Sequence, residues 1–230
     1  MNIKYSFVIP CFNEDKSLKI LLPQLVSIVE SENNDVEFIL VNNGSSDRTF
    51  ELFNKISSNN ITLINLDKNI GYGGGIKAGL FESKGDFVGW IHADLQYSIF
   101  EVIAELHKLP EKSEYIKGKR QGRTLFQNFI SLNMSIFETI MFKSLVYDIN
   151  AQPTLFRRNF LSLLNDMPND FSIDLYSYVM AKKSKLNIAR FKVNFIKRSF
   201  GKSTWNSGLI SLIRMSLRTI KYSISLRKSF

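Results

Sequence analysis

Past Asp174 the chain contains no acidic residue, although 13 lysines and arginines follow it. Cysteine is nearly absent as well. Cys11 stands alone, which excludes an internal disulfide framework, fits a reducing compartment, and suits a small buried residue better than a nucleophile. No apolar run approaches the roughly 20 residues that cross a bilayer. The chain opens directly on the strand-like IKYSFVIP, so no signal peptide is expected. Internal repeats, low-complexity tracts and a clear interdomain linker are also missing. These absences exclude a disulfide-stapled or membrane-spanning protein and leave a soluble or peripheral one.

What remains is a chain of 230 residues, 44% hydrophobic, long enough for one sizeable core or one domain with an appendage. Its net charge of +9 is unevenly placed. Residues 1–174 hold 17 basic against 21 acidic side chains, so the excess lies in the tail. A basic tail points toward phosphates, whether of nucleic acid, anionic lipid or a phosphorylated substrate. A solvated basic face is the plainer alternative.

YSFVIP, VEFILVNN, ITLINLD and DFVGWIHA are short, β-branched and aromatic, and they alternate with the helical patterns SLKILLPQLVSIVESE, DRTFELFNKISS and GGGIKAGLFES. Such alternation predicts βαβ units around a mostly parallel sheet flanked by helices, with ligands at the carboxyl ends of the strands. Polar clusters fall there: CFNED, NNGSSD, NIGYGGG and HADLQ. Residues 123–147 are apolar and helical in pattern, and read either as a core helix pair or as a membrane-interfacial element. In Leu209–Lys228, Ile210, Ile213, Leu217, Ile220 and Ile224 share one stripe beside Arg214, Arg218 and Lys221, the pattern of a basic amphipathic helix. That helix suits an interface with anionic head groups, or packing on the domain.

The segment FVGWIHADLQ, residues 87–96, ends an apolar run in His92, Asp94 and Gln96. On extended backbone, residues two apart point to one side, so the three side chains could face one cleft. Oxygen ligands suit Mg²⁺ and Mn²⁺, and imidazole tolerates Mn²⁺. The alternative is a turn in which Asp94 caps the next helix and His92 packs.

Read together, VIPCFNE, VNNGSSDRT, HADLQ and KRSFGKSTW resemble the family 2 glycosyltransferases over roughly residues 5–205. The resemblance implies a GT-A fold over 1–205, Rossmann-like, with residues 206–230 as a basic C-terminal helix. It implies a metal-dependent, inverting transfer from a nucleotide-sugar donor, with Mn²⁺ or Mg²⁺. The nearest likeness is to polyprenyl-phosphate sugar transferases, which implies a lipid-linked acceptor, peripheral contact with the cytoplasmic face of a membrane, and no nucleic-acid partner.

The family's motifs carry roles residue by residue. Pro10, Asn13 and Glu14 match the opening signature. Asn43 takes the place of the acidic residue that faces the base, with Asn42 before it. Lys77, in the helix after Gly71, Gly73, Gly74 and Gly75, borders the nucleotide pocket; no GK[ST] follows, so this is not a P-loop. Asp94 matches the metal ligand of the DXD motif, Gln96 a position that joins it, and His92 replaces the first aspartate, as a metal ligand or a nucleotide contact. Asn150, Gln152 and Arg157 in DINAQPTLFRR match a segment lining the sugar and acceptor site. Arg198, Lys202 and Ser203 offer donors to phosphate oxygens. A lipid phosphate acceptor is already anionic, whereas a sugar hydroxyl needs a base; Asp174, with Asp170 behind it, is the base candidate. Transfer to a glycan hydroxyl and a non-catalytic nucleotide-binding relative are the alternatives.

Overall fold

The computed structural model describes residues 3–32, 35–56, 58–200 and 209–229. Seven strands form one sheet in the order β3-β2-β1-β4-β6-β5-β7. The four predicted strands are β1 (Tyr5–Cys11), β2 (Val36–Asn43), β3 (Ile61–Leu66) and β4 (Phe87–Trp90), all parallel. Three further strands extend the sheet: β5 (Tyr115–Gln121), β6 (Thr154–Arg157) and β7 (Ile188–Asn194). β6 runs antiparallel between β4 and β5, while β7 pairs parallel with β5. The reversal of β6 sets Thr154 beside Trp90 and Arg157 beside Phe87. Thr154 therefore starts at the carboxyl edge of the parallel strands and Arg157 finishes at the opposite edge.

Alternation along the strands divides the core into two layers. Phe7, Ile9, Phe38 and Leu40 join the layer under α1 (Asp15–Ser31) and α4 (Ile99–Leu106); Val8, Ile39 and Val41 join the one under α3 (Tyr72–Glu82) and α6 (Ser172–Lys183). The short α2 (Thr49–Phe53) follows β2. Gly79 lets α3 lie directly on β1, because a Cβ there would collide with Val8. Cys11 is buried, and burial holds its thiol well above the ordinary range, as a packed residue rather than a nucleophile.

Residues 123–147 hold one helix rather than a pair, α5 (Leu125–Phe142), opened by a capping box of Thr124 and Gln127. Glu138 is its one buried residue. Leu125, Phe129, Leu132, Ile136 and Ile140 are exposed on one stripe, Leu125 by 89% and Ile140 by 73%. The C-terminal helix α7 (Leu209–Lys228) packs against α5 and α6 through Tyr222, Ser223 and Leu226, and Arg227 donates to the Met141 carbonyl. Leu217 and Ile224, from the sequence-predicted apolar stripe, stay exposed. The side chains of Ile210 and Ile213 lie outside the described residues. No helix among the described residues is long and apolar enough to cross a membrane.

Between α5 and α7, Ser223 Oγ donates to Glu138 Oε1 at 2.7 Å, while Oε2 is buried without a partner. Burial raises this carboxyl to about 7, with Ser223 opposing the shift. Because the folded state holds the proton over a range where the unfolded chain releases it, stability falls as pH rises from about 4.5 to 7. Glu138→Gln flattens that slope in urea titrations across this window; an unchanged slope would refute the assignment.

Candidate active site

β4 ends at Trp90, so HADLQ is not extended strand. Leu95 takes a positive φ of 59° and the Gln96 amide donates to Asp94 Oδ1 at 3.2 Å, a tight turn that brings His92 Nδ1 to 3.7 Å from Asp94 Oδ2. The cap of α4 is Ser98, whose Oγ accepts from Glu101, which leaves Asp94 free of that task. Asp94 is 7% exposed. Burial pushes its carboxyl up, but His92, the Gln96 amide and Arg198 outweigh it and hold the group below the ordinary value, as an anion. Gln96 spends its side-chain nitrogen on the Ile196 carbonyl at 3.3 Å, fastening the segment after β7 to this turn.

That segment carries Arg198 across the ends of β1 and β4, where its guanidinium pairs with Glu14. Burial pushes the Glu14 carboxyl up against Ser17 and Arg198, which pull it down. Arg198 Nε is buried without a partner, a donor available to an anion. Lys202 and Ser203 lie outside the described residues. Asn13, at a positive φ of 57°, accepts from the Ser46 amide at 2.8 Å and ties the β1 loop to the β2 loop.

Several expected nucleotide contacts have other work. Asn43 is 3% exposed and uses both ends of its amide, accepting from Ile70 N at 3.0 Å and donating to Gly71 O at 2.9 Å. Asn42 likewise donates to Asn65 and accepts from Ser45. Lys77 donates to the Met167 carbonyl at 3.0 Å, pinning α3 to the loop before α6 rather than reaching the cleft. The glycines at the start of α3 admit that same loop: Gly71 and Gly73 lie against Asn169 and Pro168, and Gly74 N donates to Asn169 O at 3.1 Å. Pro10 is half-buried on β1 beneath Gly75.

On the other side of the turn, Asp174 is buried rather than poised in the cleft. Its Oδ1 accepts from Trp90 Nε1 and Gln152 Nε2, each at 3.2 Å, and lies 3.6 Å from Lys117 Nζ. A carboxylate so engaged, on a residue 1% exposed, does not face an acceptor hydroxyl. It anchors the floor of the site. Lys117 is also buried and donates to Thr154 Oγ1 at 2.8 Å. Arg157 is removed from the site by the reversal of β6; it stacks over Phe87 and donates to Glu111 O at the opposite edge of the sheet.

A cavity of about 440 Å³ opens between β5, α5 and α7. Asn150 and Asp170 line it, with Phe171, which stacks on Tyr72 at 4.3 Å. Its polar end holds a cluster absent from the sequence expectations. Arg120 binds Asp148 with Nε and Nη2 at 2.7 and 2.5 Å, Arg123 stands 3.8 Å away, and Arg190 clamps the Tyr147 and Asp148 carbonyls. Burial raises the Asp148 carboxyl, and Arg120 more than reverses this. Arg123 Nε is buried without a partner. Three guanidinium groups around one carboxylate leave this cluster net positive. The signal in the sequence was thin: Arg120 and Asp148 lie far apart in it and belong to no shared motif.

The donors fit a divalent cation. Asp94 is anionic, His92 offers a nitrogen beside it, and among the described residues no cluster of three or more such ligands exists. Mg²⁺-type ions are commonly held by one or two protein ligands plus substrate phosphates and water, which is the share this pair leaves open.

Together these features define an α/β protein whose sheet edge sets a buried, unpartnered guanidinium nitrogen near a carboxylate, at the strand ends where such folds bind ligands. The chain belongs to glycosyl transferase family 2, whose family model matches residues 6–170. It is 27% identical over 212 residues to a dolichyl-phosphate β-glucosyltransferase of Trichomonas vaginalis, covering 83% of this chain and 65% of that one. It is 28% identical over 210 residues to an undecaprenyl-phosphate 4-deoxy-4-formamido-L-arabinose transferase of Photorhabdus laumondii, covering 88% and 63%. The chain thus spans a little under two thirds of these relatives. Glucosyl-3-phosphoglycerate synthase from Mycobacterium tuberculosis, solved with Mn²⁺, UDP-glucose and phosphoglyceric acid, shares the fold at a TM-score of 0.75 and 16% identity, over 98% of this chain and 80% of that one. The sheet is the GT-A arrangement that the sequence resemblance implied.

Proposed function

We propose that the protein transfers a sugar, with inversion, from a nucleoside-diphosphate sugar to a polyprenyl phosphate at the cytoplasmic face of a membrane. The observation that carries this reading is the cavity between β5, α5 and α7, a groove lined by the cationic Arg120 and Arg123 together with Ile130, Met134 and Ser216. Such a groove suits an amphiphile with a phosphate head. The named relatives act on dolichyl and undecaprenyl phosphates, and the structural neighbour holds Mn²⁺ with UDP-glucose. Both support the reading.

Asp94 and His92 would hold the cation, Mn²⁺ or Mg²⁺, which neutralises the diphosphate leaving group. Arg198 adds its unpartnered Nε to those phosphate oxygens. Glu14 orients Arg198 through their ion pair. Arg120 and Arg123 seat the acceptor phosphate, whose oxygen attacks the anomeric carbon from the face opposite the leaving group. Because that oxygen is already anionic, no base is required, in keeping with the burial of Asp174. Incubation with UDP-sugars, Mn²⁺ and undecaprenyl phosphate should yield a lipid-phosphate sugar; transfer to a neutral glycan alone, or binding of nucleotide sugar without transfer under any metal, would overturn the proposal.

The exposed stripe of α5, with the neighbouring Leu217, Arg214 and Lys221 of α7, supplies the membrane contact. Burying one large apolar side chain contributes about 1.5–3 kcal/mol. Phe129→Asp with Leu132→Asp should therefore weaken sedimentation with vesicles of anionic phospholipid by well over about tenfold, and added salt should weaken the wild type. Unchanged binding would remove α5 from the interface.

A further inference from the structure

Helices α5 and α7 run side by side in the same direction. Glu138 on one meets Ser223 on the other, and further along both Arg227 donates to the Met141 carbonyl. Before that contact the helices part. The cavity between them is lined on the α5 side by Gln127, Ile130, Ser131, Met134 and Ser135, and on the α7 side by Ser216. Ser131 and Ser135 stand one helical turn apart, and with Ser216 their small side chains leave the room there. About one turn beyond Ser135 the room ends. Glu138 and Ser223 are both 0% exposed and joined by a hydrogen bond of 2.7 Å, so the two helices close on each other.

The cationic groups sit toward the other end of α5. Arg123 Nη2 donates to the Gln127 carbonyl at 2.9 Å, which sets that guanidinium, with its buried and unpartnered Nε, beside the first turns of the helix. From Gln127 to Glu138 the helix rises about 16 Å. An extended hydrocarbon covers that distance in about a dozen bonds, on the order of three isoprene units.

We infer that the Glu138–Ser223 contact is the end wall of a groove for the acceptor's isoprenoid chain, so that the protein reads the phosphate-proximal isoprene units and is indifferent to the rest. The inference rests on the proposed transfer to a polyprenyl phosphate. With the phosphate at Arg123, the chain lies along Ile130 and Met134 and meets the wall. A longer chain leaves sideways over Leu132 and Ile136, which are exposed on the adjoining face of α5. Glu138 and Ser223 are then specificity-determining residues that set the depth of the groove without touching the phosphate.

The test measures transfer, with the donor UDP-sugar and Mn²⁺, to isopentenyl, geranyl, farnesyl and geranylgeranyl phosphate added as monomers without detergent, and to undecaprenyl phosphate in detergent. Each unit through farnesyl phosphate buries further apolar carbon and should raise kcat/KM by about tenfold or more, whereas the step from farnesyl to geranylgeranyl phosphate should give less than about threefold. Ser135→Phe fills the deep part of the groove and should bring farnesyl phosphate within about threefold of geranyl phosphate. Glu138→Ala opens the wall and should restore a gain of about tenfold between farnesyl and geranylgeranyl phosphate. Should Glu138→Ala fail to fold, Ser135→Phe decides alone, because Ser135 lies at the groove surface and its substitution spares the core. A wild-type profile that keeps rising past farnesyl phosphate, one that does not rise with length at all, or an unaltered profile in Ser135→Phe would sink the inference alone, since transfer to lipid phosphate would persist. Failure to transfer to undecaprenyl phosphate and to every shorter phosphate would overturn the proposed function and the inference together.

Discussion

Asp94→Ala removes sugar transfer while leaving the fold intact. The side chain lies at the cleft edge, and apart from the local turn its hydrogen bonds stabilise nothing distant. Its proposed task is to hold a cation against the departing diphosphate, an effect worth several kcal/mol in the transition state. Losing about 4 kcal/mol lowers kcat/KM by on the order of 10³-fold. Initial rates of nucleoside diphosphate release across Mn²⁺ concentrations provide the check. A variant that retains wild-type rates and metal dependence would refute the site.

Asp174→Ala produces the largest loss of stability. The substitution strands the Lys117 ammonium, which is wholly buried, and removes the acceptor shared by Trp90 and Gln152. Breaking one side of a buried ion pair costs about 3–5 kcal/mol. Chemical denaturation should register that loss, and adding Lys117→Met should recover part of it, because no uncompensated charge then remains. If Asp174→Ala leaves stability unchanged and abolishes only catalysis, the anchor assignment fails and a base role returns. Burial depresses the Lys117 ammonium to about 8 against the pull of Asp174. Between about 8 and the ordinary lysine value the unfolded chain binds the extra proton, so wild-type stability rises with pH there. Lys117→Met should lack that rise.

The β1–β4 half of the fold was legible because parallel strands buried on both faces read as continuous apolar runs; β2 matches VEFILVNN residue for residue. The β5–β7 half was not. β5, YIKGKRQ, and β7, IARFKVN, interleave charges with apolar residues, and β6 has four residues. Missing β6 also misplaced Arg157, since nothing local in TLFR reveals that the strand runs backwards. At the site, position was easier to infer than duty. Asn43, Lys77 and Asp174 belong to segments converging on the cleft, yet each side chain is spent on the protein's own backbone or core, a choice set by neighbours distant in sequence.

The reversed strand β6 also acts as a seam. Among the described residues it is the strand that joins β4, with the three strands behind it, to the pair β5 and β7. The loop feeding it, residues 148–152, meets the guanidinium groups with one end and the Tyr72 hydroxyl with the other. Under the proposed function, exchange of the β5–β7 half between related chains would therefore preserve donor handling while changing acceptor choice, provided Gln152 and Thr154 travel with the strand. The same seam makes the two halves mutually dependent for folding, so a fragment ending at β4 would expose one bare sheet edge just where the chemistry is assembled.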